Sequence, residues 1–147
     1  MDHLPTTEAA VTALRAIAEA YALDIEVTHD IGADQTSRRT TAGLGVTTDP
    51  DGTLPHEAYV ELGGRPGVSV RLYPDGDAVI TVEGLPCPDV DRDDVPAFLR
   101  AIYDGHAWVK TRRFPPSAYL VVPLPGDRVH KEFISFALSP WLAGRVR

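Results

Sequence analysis

Two runs of alternating apolar and polar residues, Val68-Ser69-Val70-Arg71-Leu72-Tyr73 and Ala78-Val79-Ile80-Thr81-Val82-Glu83, flank Pro74-Asp75-Gly76-Asp77. Proline pre-sets φ and glycine accepts positive φ, so the intervening four residues predict a turn and the whole of 68–83 a β-hairpin. The period of two puts Val68, Val70 and Leu72 on one face with Ala78, Ile80 and Val82 against them. Ser69, Arg71 and Thr81 fall on the other face. Neighbouring segments have to cover the apolar side.

The same patterning supplies those segments. Val11, Leu14, Ala18 and Tyr21 recur at three- and four-residue spacing, which predicts a helix over 7–21 capped by Thr6 or Thr7. Strict alternation over 23–29 predicts a strand, 30–40 reads as a polar loop, and 41–48 and 57–62 read as two further strands separated by the turn Asp49-Pro50-Asp51-Gly52. With the hairpin these make an antiparallel meander of about five strands. Pro86 and Pro88 predict that 84–91 leaves the ladder and crosses the end of the sheet. Asp93 is the expected N-cap of a second helix carrying Val95, Phe98, Leu99 and Ile102, with Gly105 ending it. Residues 107–113 and 118–124 predict two closing strands. Over 129–138 the alternation of Ile134, Phe136 and Leu138 favours a third strand against a helical stripe through Val129, Phe133, Ala137 and Trp141. Ser139-Pro140 reads as the cap and first residue of a short terminal helix. The expected architecture is a single α+β domain over 1–147: helix, meander, helix, closing strand pair or trio, short C-terminal helix.

Charge changes this picture more than composition does. The net charge of the 147 residues is −7, but 1–105 carries 7 Lys/Arg against 19 Asp/Glu (−12) and 106–147 carries 7 against 2 (+5). The two ends of the sequence either answer each other inside the fold or meet outside partners. The overall sign disfavours whole-molecule attraction to nucleic acid or anionic membranes and favours a basic partner. A single cysteine, no apolar run near the roughly 20 residues of a membrane span and no secretory leader at the N-terminus make a cytoplasmic protein the expectation.

Candidate chemistry is sparse. His3, His29, His56, Cys87, His106 and His130 show no CxxC, HxxxH or HExxH spacing, so neither a metal site nor a cofactor is expected. Asp49-Pro50-Asp51-Gly52 fails as a calcium loop, because Thr47 and Ala58 would stand at its first and last ligand positions. Cys87 has no neighbouring cation in sequence to activate it, there is no GxSxG elbow, and Gly63-Gly64-Arg65-Pro66-Gly67 lacks both the phosphate-loop lysine and a dinucleotide fingerprint. Asp89, Asp91, Asp93 and Asp94 precede a helix, where one or two serve capping and the surplus could form an anionic site for a basic partner, with Glu57 and Glu61 on an outward strand face. Trp108, Lys110 and Arg112 share one strand face, an aromatic between cations such as nucleic acid uses, although one aromatic is few for a stacking platform.

The order helix, meander, helix, hairpin is similar to that of small secretion-chaperone and toxin-immunity folds, by element order and with no shared motif. The expected function is therefore a small acidic binding protein, an immunity protein or dedicated chaperone that neutralises a basic protein such as a toxin or secreted effector. The alternatives are a small enzyme drawing on His29, His106 or His130, or a weak nucleic-acid or nucleotide binder using 106–147. An exposed edge strand would also admit a homodimer.

Overall fold

The computed structural model describes residues 3–29 and 57–147. The first helix, α1, spans Thr7–Ala20, and the Thr6 hydroxyl accepts from the Ala9 amide at 3.0 Å. Its buried stripe of Ala10, Val11, Leu14, Ile17 and Ala18 is the face expected from the spacing.

Five strands follow as a continuous antiparallel meander: β1 (Ile25–His29), β2 (Ala58–Leu62), β3 (Val68–Leu72), β4 (Asp77–Val82) and β5 (Leu85–Asp91). The central hairpin has the predicted register, with Val68 opposite Val82, Val70 opposite Ile80 and Leu72 opposite Ala78. Gly76 adopts φ +99° in its turn. The strand expected over 41–48, the Asp49–Gly52 turn and His56 lie outside the described residues.

The fifth strand of this sheet corrects the sequence reading, which took 84–91 out of the ladder because of Pro86 and Pro88. Glu83 and Gly84, at φ +50° and +83°, form a two-residue turn of the kind that matches strand twist. The pair closing such a turn, Val82 and Leu85, exchanges hydrogen bonds, so the next pair, Thr81 and Pro86, does not. Pro86 and Pro88 therefore turn their missing donors away from β4, on an edge strand where no ladder bond is lost. A register shift between Ala78 and Ile80, with Asp89 at φ +61°, lets Val90 return to the core.

Helix two is also entered differently from expectation. Asp91, not Asp93, caps the turn, its carboxylate accepting from the Asp93 amide at 2.9 Å at the start of a 3-10 turn over Arg92–Asp94. The carboxylate of Asp93 is drawn away to the Leu4 amide. Helix α2 then runs Val95–Tyr103 with Phe98, Leu99 and Ile102 buried. It ends as predicted at Gly105, φ +77°, where the His106 amide reaches the Ala101 carbonyl at 2.9 Å.

The closing strands form a second antiparallel sheet, β6 (Trp108–Arg112), β7 (Ser117–Leu124) and β8 (Arg128–Phe133). The strand expectation for 129–138 thus holds only to Phe133; Ile134 turns into the core and the chain leaves the sheet. Helix α3 (Pro140–Ala143) starts at Ser139, whose hydroxyl accepts from the Leu142 amide. The last residues return along β6 through a parallel bridge between Val109 and Val146. Leu14 of α1, Val60 and Ile80 of the first sheet, Phe98 of α2, and Val109, Leu120 and Val122 of the second sheet all belong to one buried apolar cluster.

Candidate functional site

The acidic stretch before α2 is largely engaged within the chain. Asp94 is buried and receives both terminal nitrogens of Arg128, each at 2.8 Å. That fork-on-fork geometry makes a charge-assisted pair between the acidic and basic parts of the sequence. Asp93 accepts from the Leu4 amide at 2.7 Å and lies 3.1 Å from His3 Nδ1. The Leu4 amide above all holds the Asp93 carboxyl below the usual carboxylate range; burial opposes it, and His3 and Arg92 add to the lowering. Asp91 is the cap already described, and Asp89 is exposed. A groove of about 290 Å³ between these aspartates and Pro125-Gly126 is spanned by Arg128.

The outer face of the second sheet has a different character. Antiparallel partners share a face, and Trp108 stands opposite Val121, Lys110 opposite Tyr119, and Arg112 opposite Ser117. On the other side of β7, Tyr119 faces Phe133 and Val121 faces Lys131. The three residues singled out from sequence thus sit beside two further aromatics and a further cation that only strand pairing brings to them. The Tyr119 and Phe133 rings meet edge-on with centroids 5.6 Å apart. Lys131 Nζ lies 4.6 Å from the Tyr119 ring centre, and the Arg147 guanidinium lies 5.0 Å from that of Trp108. Phe133 is 51% exposed, and Phe114, next to Arg113 at the tip of the β6–β7 turn, is 91% exposed. None of the strand positions on this face carries a carboxylate.

Glu61 lies on the outward face of the first sheet, directly opposite Glu26, in a groove of about 520 Å³ that Asp24, Tyr59, Ser69 and Thr81 also line. Like charges in direct register on a sheet are unfavourable unless a cation answers them. Glu57 is half-buried just before β2. Of the histidines offered for catalysis, His29 ends β1, His106 is exposed after α2, and His130 lies on β8, its ring edge-on to Phe98 with centroids 5.6 Å apart and its Nε2 3.0 Å from Glu132. These positions lie on β1, in the connection between α2 and β6, and on β8.

Tyr119, Lys131, Phe133 and Arg147 were not identified by sequence reasoning. A signal for three of them existed in the alternation of β7 and β8, but it becomes a surface only once the register is fixed. Compared with known proteins, the chain matches no family, no curated protein and no solved structure.

Proposed function

We propose that the protein binds single-stranded nucleic acid on the outer face of the β6–β7–β8 sheet. The observation that carries this reading is a set of strand positions without a carboxylate side chain, Trp108, Tyr119 and Phe133 with Lys110, Arg112 and Lys131, to which Arg147 adds its guanidinium over Trp108, in a chain whose net charge is −7. Unstacked bases lie on aromatic rings set in a sheet, and phosphates between them are neutralised by neighbouring cations. The negative charge elsewhere weakens long-range attraction but acts little on a local patch, because the screening length at physiological salt is only about 8 Å. Arg128 is not part of the surface; it is committed to Asp94.

The test is fluorescence anisotropy of a labelled single-stranded oligonucleotide titrated with the full chain over a salt series. Binding should weaken with salt, and Lys131→Ala should reduce the logarithmic salt slope by about 0.7, the share of one single-strand phosphate contact. Tyr119→Ala and Phe133→Ala should each weaken affinity on the order of 5–150-fold, the range of a lost base stack. An unchanged anisotropy at low salt, or variants that bind like the parent, would overturn the reading.

The outward face of the first sheet favours a second reading, that of a binding protein for a basic partner, such as an immunity protein or dedicated chaperone. Its support is the Glu26–Glu61 register with Asp24 beside it, an arrangement that a partner's cation would relieve. Glu26→Gln and Glu61→Gln should then slow capture of a basic protein recovered from the native host and leave oligonucleotide binding unchanged.

A further inference from the structure

Cys87 and the pair His130 and Glu132 come from edge strands of different sheets, yet one donor atom from each lies within 4.8 Å of the other two. The spacing of two on β8 puts His130 and Glu132 on the same face, the inward one, opposite Val122 and Leu120 respectively. Cys87 is fully buried on the inward face of β5, while the side chains of His130 and Glu132 are 16% and 26% exposed. Donor atoms around a tetrahedral zinc, with bonds of about 2.0–2.3 Å, stand about 3.3–3.8 Å apart, so a closing movement on the order of 1 Å would complete the set.

We propose that Cys87, His130 and Glu132 bind one divalent transition-metal ion of the zinc class through a thiolate sulfur, an imidazole nitrogen and a carboxylate oxygen. A fourth coordination position is left toward the exposed side of His130 and Glu132. Thiolate with imidazole selects zinc or cobalt over magnesium or calcium, which prefer oxygen alone. The charges close: a divalent cation with one thiolate and one carboxylate is neutral, which suits a site with a fully buried sulfur. Without a cation the arrangement is awkward, because burial, and after it the Glu132 charge, push the Cys87 thiol up to about 12. Binding through the thiolate replaces the thiol proton, so metal uptake is accompanied by proton release. His130 is already oriented for the task by its edge contact with Phe98. Sequence spacing could not show this set, since His130 lies 43 positions after Cys87.

The experiment is a cobalt(II) titration of the reduced full-length chain, followed by absorption and by proton release in weak buffer. Expected are one cobalt per chain, a thiolate-to-cobalt charge-transfer band in the near ultraviolet, release of protons that tracks cobalt uptake, and loss of the band when zinc(II) is added. Cys87→Ser should abolish the band. Because Cys87 is in the core, Glu132→Gln and His130→Gln serve as independent variants, and each should weaken cobalt affinity at least tenfold with an unchanged far-ultraviolet circular dichroism spectrum. No charge-transfer band, a band that persists in Cys87→Ser, or parental affinity in both other variants would overturn the proposal.

Discussion

Asp93 ties the segment before α1 to the turn before α2, and its carboxylate does so in the ionised form. Folding lowers its pKa relative to the unfolded chain, chiefly through the Leu4 amide. The stabilisation this gives is fully present above the unfolded carboxylate value of about 3.9 and is lost as pH falls through the lower folded value. Asp93→Asn keeps an oxygen for the Leu4 amide but removes the charge. Urea unfolding followed from about pH 7 to pH 3 should therefore show a shallower loss of stability in the variant than in the parent. Equal slopes would mean that the carboxylate does not hold Leu4 in solution.

At the scale of elements, helix α2 packs against α1 and against β7 of the second sheet, and Leu99 is fully buried in its stripe. Leu99→Ala should lower stability by about 2–5 kcal/mol, read from the urea midpoint; a loss under about half a kcal/mol would place Leu99 outside the core. Such a stripe was legible in the sequence because helix period and burial depend on spacing alone. The central hairpin was legible for the same reason, with Gly76 marking its turn. Strand β5 was not, because a proline forbids a ladder bond on one side of a strand only, and which side Pro86 and Pro88 present is fixed by the Glu83-Gly84 turn ahead of them. The candidate surface was legible in part: Trp108, Lys110 and Arg112 stood out by alternation along one strand, whereas Tyr119 and Phe133 join them only through pairing between strands. Residue pairs made by register and not by spacing are invisible until the topology is known.

For the whole molecule, the separation of charge along the chain is at least partly answered internally. Asp94 belongs to the segment at −12 and Arg128 to the segment at +5, and their bidentate pair is the joint between them. Asp94→Ala and Arg128→Ala should each lower the urea midpoint, the arginine change because it leaves a carboxylate buried without its cation. The double variant should lose less than the two losses added together. Simple additivity would show that the pair is not coupled. Of the acidic residues singled out from the sequence, Asp91, Asp93 and Asp94 are engaged within the chain, whereas Asp89 is exposed and Glu61 lies on the outward face of the first sheet.

The clasp around the start of α1 also has a meaning in time. Leu4 gives its amide to Asp93, and the carbonyls of Leu4 and Pro5 accept from the Arg92 guanidinium at 2.8 Å, contacts between positions 87 to 89 residues apart in the chain. A ribosome adding about 5–20 residues each second makes the second half of that clasp roughly 4–18 s after the first. Through that interval α1 can coil locally, but α2 does not yet exist for it to lie on. A nascent chain stalled between these points would leave the α1 stripe of Leu14 and Ile17 with β1 and β2 but without its α2 neighbour, so synthesis speed, and any holdase acting on the emerging chain, bears on this helix.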